Sequence, residues 1–118
     1  MAQYINIGLK TNDGTPDINL YAIVDYVGNK LDARPVTAWP VQSDTEPTLV
    51  LTAGRELTTT ELYDMANMFH QDCVAVYDTT TGSGNLVGPF AAKWGEFNPE
   101  YFFMPHGDRL TEWLRQAA

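Results

Sequence analysis

The stretch from Thr48 to Tyr77 admits few folds, because an apolar strand, a capped amphipathic helix and a second apolar strand follow one another without a break. The first strand, Thr48-Leu49-Val50-Leu51-Thr52, is bounded by Pro47 and Gly54. Thr58 is placed to cap a helix, Glu61 to reach back and close a capping box, and Leu57 to staple onto Leu62. Leu62, Met65, Ala66 and Phe69 then recur at helical spacing and predict one apolar stripe. A stripe of that width needs a sheet to lie on. The next strand follows at once as Cys73-Val74-Ala75-Val76-Tyr77, too short and too β-branched for a helix.

A length of 118 residues suits one domain spanning 1–118, with no room for a second core. Three Trp, six Tyr and five Phe in a chain that is 44% apolar argue against disorder. No apolar run approaches the ~20 residues of a membrane span. The N-terminus lacks the basic and apolar regions of a signal peptide, so the expectation is a soluble, cytoplasmic protein without membrane partners. The single Cys73 cannot form an internal disulfide. Fifteen acids against seven dispersed bases give a formal net charge of −8, which repels a phosphate backbone and disfavours direct nucleic-acid binding. The same charge solubilises the surface, and it also suits an acidic face that occupies a basic site on a partner.

Along the chain, Tyr4 to Lys10 alternates like a half-buried strand. Thr15-Pro16-Asp17 starts a helix whose buried stripe is Leu20, Ile23, Val24, Val27 and Leu31, although residues 19–27 are β-branched and aromatic enough for a strand. Arg34 to Ser43 reads as a strand that Pro40 places at an edge or a bulge. Thr79 to Asn85 reads as a hairpin turn into Leu86-Val87-Gly88. The order predicts an α+β fold: a ferredoxin-like βαββαβ antiparallel sheet with two helices on one face, an extra hairpin strand, and a short C-terminal helix. Asp108 is the expected cap of that last helix, with Leu110, Trp113 and Leu114 on one side. Before it, Phe90, Trp94, Phe97, Tyr101, Phe102 and Phe103 crowd a Gly- and Pro-punctuated segment. Such an area of ring either closes over the open sheet face as core or forms a surface patch for a partner.

No residue set converges on a recognisable chemistry. His70 and Cys73 are spaced as His-x-x-Cys, but only His106 is left to join them as a metal ligand, and a core thiol with a helix-end histidine explains the pair better. Asp78 to Gly84 is rich in hydroxyls and glycine, yet it lacks the Lys of a P-loop and suits a hairpin loop better than a phosphate cradle. Acids such as Asp25, Asp32, Glu61 and Asp64 are explained by solvation, and Glu61 by its capping role. No cofactor and no metal is expected.

At Thr45-Glu46-Pro47-Thr48-Leu49-Val50, Asp72 to Tyr77 and Gly95 to Phe102, the chain resembles small proteins encoded by bacteriophages and prophages. The resemblance covers about half the chain and implies a small acidic phage protein, similar in size and charge to anti-restriction and anti-CRISPR inhibitors. It transfers no functional residue, since such inhibitors share no motif.

These features lean away from an enzyme and toward a protein-binding module that inhibits or regulates a host complex through an acidic and aromatic surface. The expected anchors are Trp94, Phe97, Tyr101 and Phe102, with Asp44 and Glu46 as an acidic rim. One alternative is a small-molecule binder or minor enzyme, a ferredoxin-like dimer with a pocket containing His70 or Tyr77. Another is a structural phage component that self-associates.

Overall fold

The computed structural model describes residues 3–8, 33–39, 48–105 and 108–117. The helix expected between Thr15 and Leu31, the chain from Pro40 to Pro47 with Asp44 and Glu46, and His106 lie outside them. The described strands are β1 (Gln3–Gly8), β2 (Ala33–Trp39), β3 (Thr48–Ala53), β4 (Val74–Asp78) and β5 (Ser83–Val87). Among the described residues two helices accompany them, α1 (Thr59–Met68) and α2 (Leu110–Ala117), with 3₁₀ turns at Ala91–Lys93 and Pro99–Tyr101. The fold is α+β: the strands form one open sheet in the order β2-β3-β1-β4-β5, antiparallel at every pairing.

Local chemistry accounts for α1. Thr58 Oγ1 accepts from Glu61 N–H at 3.1 Å and Thr58 N–H donates to Glu61 Oε1 at 3.0 Å, so the capping box closes as the spacing predicts. Arg55 adds a two-pronged ion pair to the Glu61 carboxylate at 2.8 and 2.6 Å. At the other end His70 takes a left-handed φ of 56°, while His70 N–H reaches Asn67 O and Gln71 N–H reaches Ala66 O. That pair of bonds is a Schellman closure with histidine where glycine is usual.

The strands alternate between two cores. Ile5 and Ile7 of β1, Leu49 and Leu51 of β3, and Val74 and Val76 of β4 face α1 and bury against Leu57, Leu62, Met65 and Phe69. The opposite side of the same strands carries Tyr4, Ala75 and Tyr77, and there Phe97, Phe102, Met104 and Leu110 pack. The C-terminal third therefore closes over the second sheet face and makes a third layer. Asn6 fastens it: Nδ2 donates to Phe103 O at 2.9 Å and Oδ1 accepts from Phe103 N–H at 2.7 Å.

Several local expectations shift. β2 carries another proline, Pro35, and the register slips between Pro35 and Thr37 on this edge strand, where a missing ladder donor is tolerated, while Pro40 lies outside the described residues. The hairpin's return arm begins at Ser83 rather than Leu86, because Asp78 Oδ1 accepts from Thr80 and Thr81 N–H and Gly82 turns the chain at φ 70°. Arg109, not Asp108, immediately precedes α2, and its carbonyl accepts from Trp113 N–H at 3.0 Å. Asp108 instead uses its carbonyl to hold Met104 N–H at 2.6 Å.

Candidate functional site

Between the third layer and the β4–β5 hairpin lies a cleft of about 450 Å³. Its walls include Trp94, Phe97, Tyr101 and Phe102, all four aromatic residues expected as anchors, with Cys73 and Leu86 from the sheet side. The inner part of this wall is packed ring against ring. Phe97 and Phe102 meet at 5.3 Å between ring centroids, and Tyr77 lies behind them at 6.4 and 6.2 Å. Phe97 also covers Gly84, where any Cβ would overlap its ring, so β5 must carry glycine for the cleft to have this floor.

Two rings stand at the mouth, Trp94 at 64% and Tyr101 at 74% exposure. Each is positioned by its own set of contacts. Trp94 Nε1 donates to Asp72 Oδ2 at 3.0 Å, and Lys93 Nζ approaches the same oxygen at 3.4 Å. Asp72 is itself held to this segment, its carbonyl accepting from Phe90 N–H at 2.9 Å. Gly95, at φ 80°, turns the chain immediately after Trp94. Tyr101 ends a 3₁₀ turn that Asn98 caps by accepting from Glu100 N–H at 3.0 Å, with Pro99 in its first position. Arg109 stacks 4.8 Å from the Phe103 ring centroid and donates to Glu100 O at 2.8 Å, bracing the far end of this turn.

The expected anchors therefore divide. Trp94 and Tyr101 are open to a partner and Phe97 is half-buried, whereas Phe102 is 2% exposed and belongs to the core. The 3₁₀ turn sends the neighbouring rings of residues 101 and 102 in different directions, and Phe102 contributes to the cleft only as floor. Asp44 and Glu46 lie outside the described residues.

Cys73 is half-buried and lines the cleft instead of filling the core. Burial raises its thiol pKa, and the neighbouring Asp72 charge raises it further, so the thiol stays protonated and weakly nucleophilic at neutral pH. His70 is exposed at the end of α1, and neither it nor Tyr77 is among the residues lining this cleft. Among the described residues no three His, Cys, Asp or Glu side chains group as a metal site.

Sequence reasoning passed over Glu96, the one formally charged residue lining the cleft among the described residues. Its place between Gly95 and Phe97 in the aromatic segment was the available signal. In comparison with known proteins, no family model, no curated protein and no solved structure matches the chain.

Proposed function

We propose that this chain is a non-enzymatic protein-binding module whose aromatic cleft receives a side chain of a partner protein. The exposure of Trp94 beside a finished core carries the reading. The second sheet face is already covered by Phe97, Phe102, Met104 and Leu110, so Trp94 and Tyr101 are not needed to close it. Trp94 is nevertheless held by the Asp72 hydrogen bond, and a pre-oriented aromatic ring loses little freedom on binding. The excess of acids supports a basic surface on the partner, and the resemblance to small phage proteins supports a host complex that is inhibited or regulated.

A ferredoxin-like βαββαβ core belongs to the same proposal. Its support is that β1 lies between β3 and β4, with β2 outside β3, all antiparallel, and that α1 links β3 to β4. One observation favours a second reading, a small-molecule site: the cleft volume of about 450 Å³ falls inside the range of roughly 300–1,000 Å³ usual for such ligands.

Affinity capture from a bacterial lysate, run with wild type and a Trp94→Ala/Tyr101→Ala double variant of unchanged circular dichroism, separates these readings. The proposal expects a stoichiometric protein retained by the wild type, weakened at high salt, and lost with the double variant. Equal capture by both proteins removes the cleft from the interaction. No partner, together with a melting temperature raised by a metabolite mixture, transfers the reading to the small-molecule site. Concentration-dependent self-association without either points to a scaffold component.

A further inference from the structure

The chemistry of the cleft selects among partner side chains. Its walls are aromatic, and aromatic rings attract cations through the negative potential on their faces. Among the described residues, the only formal charge lining it is the Glu96 carboxylate, which makes no hydrogen bond or ion pair with any of them. Lys93, the neighbour of Trp94 in sequence, is already paired with Asp72, the same carboxylate that accepts from the Trp94 indole. Around the site lies a chain of net charge −8, so the long-range field has the same sign as Glu96. An apolar guest would use the rings and leave Glu96 idle, and an acidic guest would meet a like charge.

We propose that the cleft takes a cationic side chain, arginine or lysine, from a basic segment of a partner protein, with Trp94 and Tyr101 flanking the cation and Glu96 pairing with it. This rests on the protein-binding reading above and narrows it to one class of guest. Asp72 acts at one remove: by holding the indole N–H it sets the orientation of the Trp94 ring.

The test uses the full chain, labelled with nitrogen-15, and acetylated and amidated pentapeptides of glycine with arginine, lysine, leucine or glutamate at the centre. The indole N–H signals of Trp39, Trp94 and Trp113 and the Gly95 amide are followed by NMR during titration. The arginine and lysine peptides are expected to shift the Trp94 indole and Gly95 signals, with about fivefold tighter binding than leucine and no response to glutamate. Glu96→Gln is expected to weaken the cationic peptides about threefold and to leave leucine unchanged. Binding of leucine as tight as or tighter than arginine at these signals overturns the cationic guest while leaving the protein-binding cleft intact. Unchanged arginine affinity in Glu96→Gln likewise removes the charge pairing. If no peptide moves either signal, the cationic guest and the side-chain-receiving cleft fall together.

Discussion

Glu61 shows how much one side chain can be asked to do. Its carboxylate closes the capping box, receives both prongs of Arg55 and sits in the positive first turn of α1. These contacts lower its pKa from 4.5 to about 2, the Arg55 hydrogen bond being the largest cause and the Thr58 N–H the next. A carboxyl that binds its proton less readily folded than unfolded stabilises the fold at higher pH. That contribution is complete above about pH 4.5 and fades as the pH falls through about 2. Because the Arg55 side chain is 42% exposed, screening limits it to about 1 kcal/mol. Glu61→Gln should therefore cost about 1 kcal/mol in urea denaturation at pH 7, and the gap to wild type should close toward pH 2. A gap that is constant across that range would assign the loss to shape and capping geometry instead of charge.

At the scale of elements, what could be read in advance depended on how far apart the interacting residues stand. The α1 cap is written within four consecutive residues, Thr58 to Glu61, and its buried stripe within eight, Leu62 to Phe69, so periodicity and capping chemistry suffice for both. The strand alternation also separates Ile5 and Ile7 from Tyr4 and Asn6. It does not say what covers the second set. That answer lies in Asn6, which reads both backbone groups of Phe103 across 97 positions of sequence. No local pattern distinguishes such an asparagine from a solvent-facing one. The Trp94 bond to Asp72, across 22 positions, is hidden for the same reason. Asn6→Ala removes together the donor and the acceptor that hold the Phe103 C=O and N–H. It should lower stability by about 2–4 kcal/mol in urea denaturation, a large effect for a polar-to-alanine change. A loss below about 0.5 kcal/mol would mean that water replaces the side chain and that packing alone holds the third layer.

For the whole molecule, the consequence of two cores on one sheet is that neither can be lost privately. β1 and β4 send alternate side chains into both, Ile5 and Val76 toward α1, Tyr4 and Tyr77 toward the C-terminal segment. With no disulfide among the described residues to hold the layers together, cohesion comes from this sharing and from the Asn6 tether. Phe102 is the large side chain at the centre of the second core, touching both Tyr77 and Phe97. Phe102→Ala should cost about 3–5 kcal/mol, the usual penalty for emptying a buried aromatic site. More telling is the form of the loss. Far-ultraviolet circular dichroism reports mainly on helix and sheet, whereas tryptophan fluorescence includes Trp94 and Trp113 in or beside the third layer. If the layers are one cooperative unit, both signals should move to the same lower urea midpoint in the variant and remain superimposable. Should the fluorescence transition run ahead while the circular dichroism midpoint stays at its wild-type value, the C-terminal segment is a cover that opens by itself. The cleft it forms with β4 and β5 would then exist only while that cover is closed, and binding of any guest would depend on how often it is.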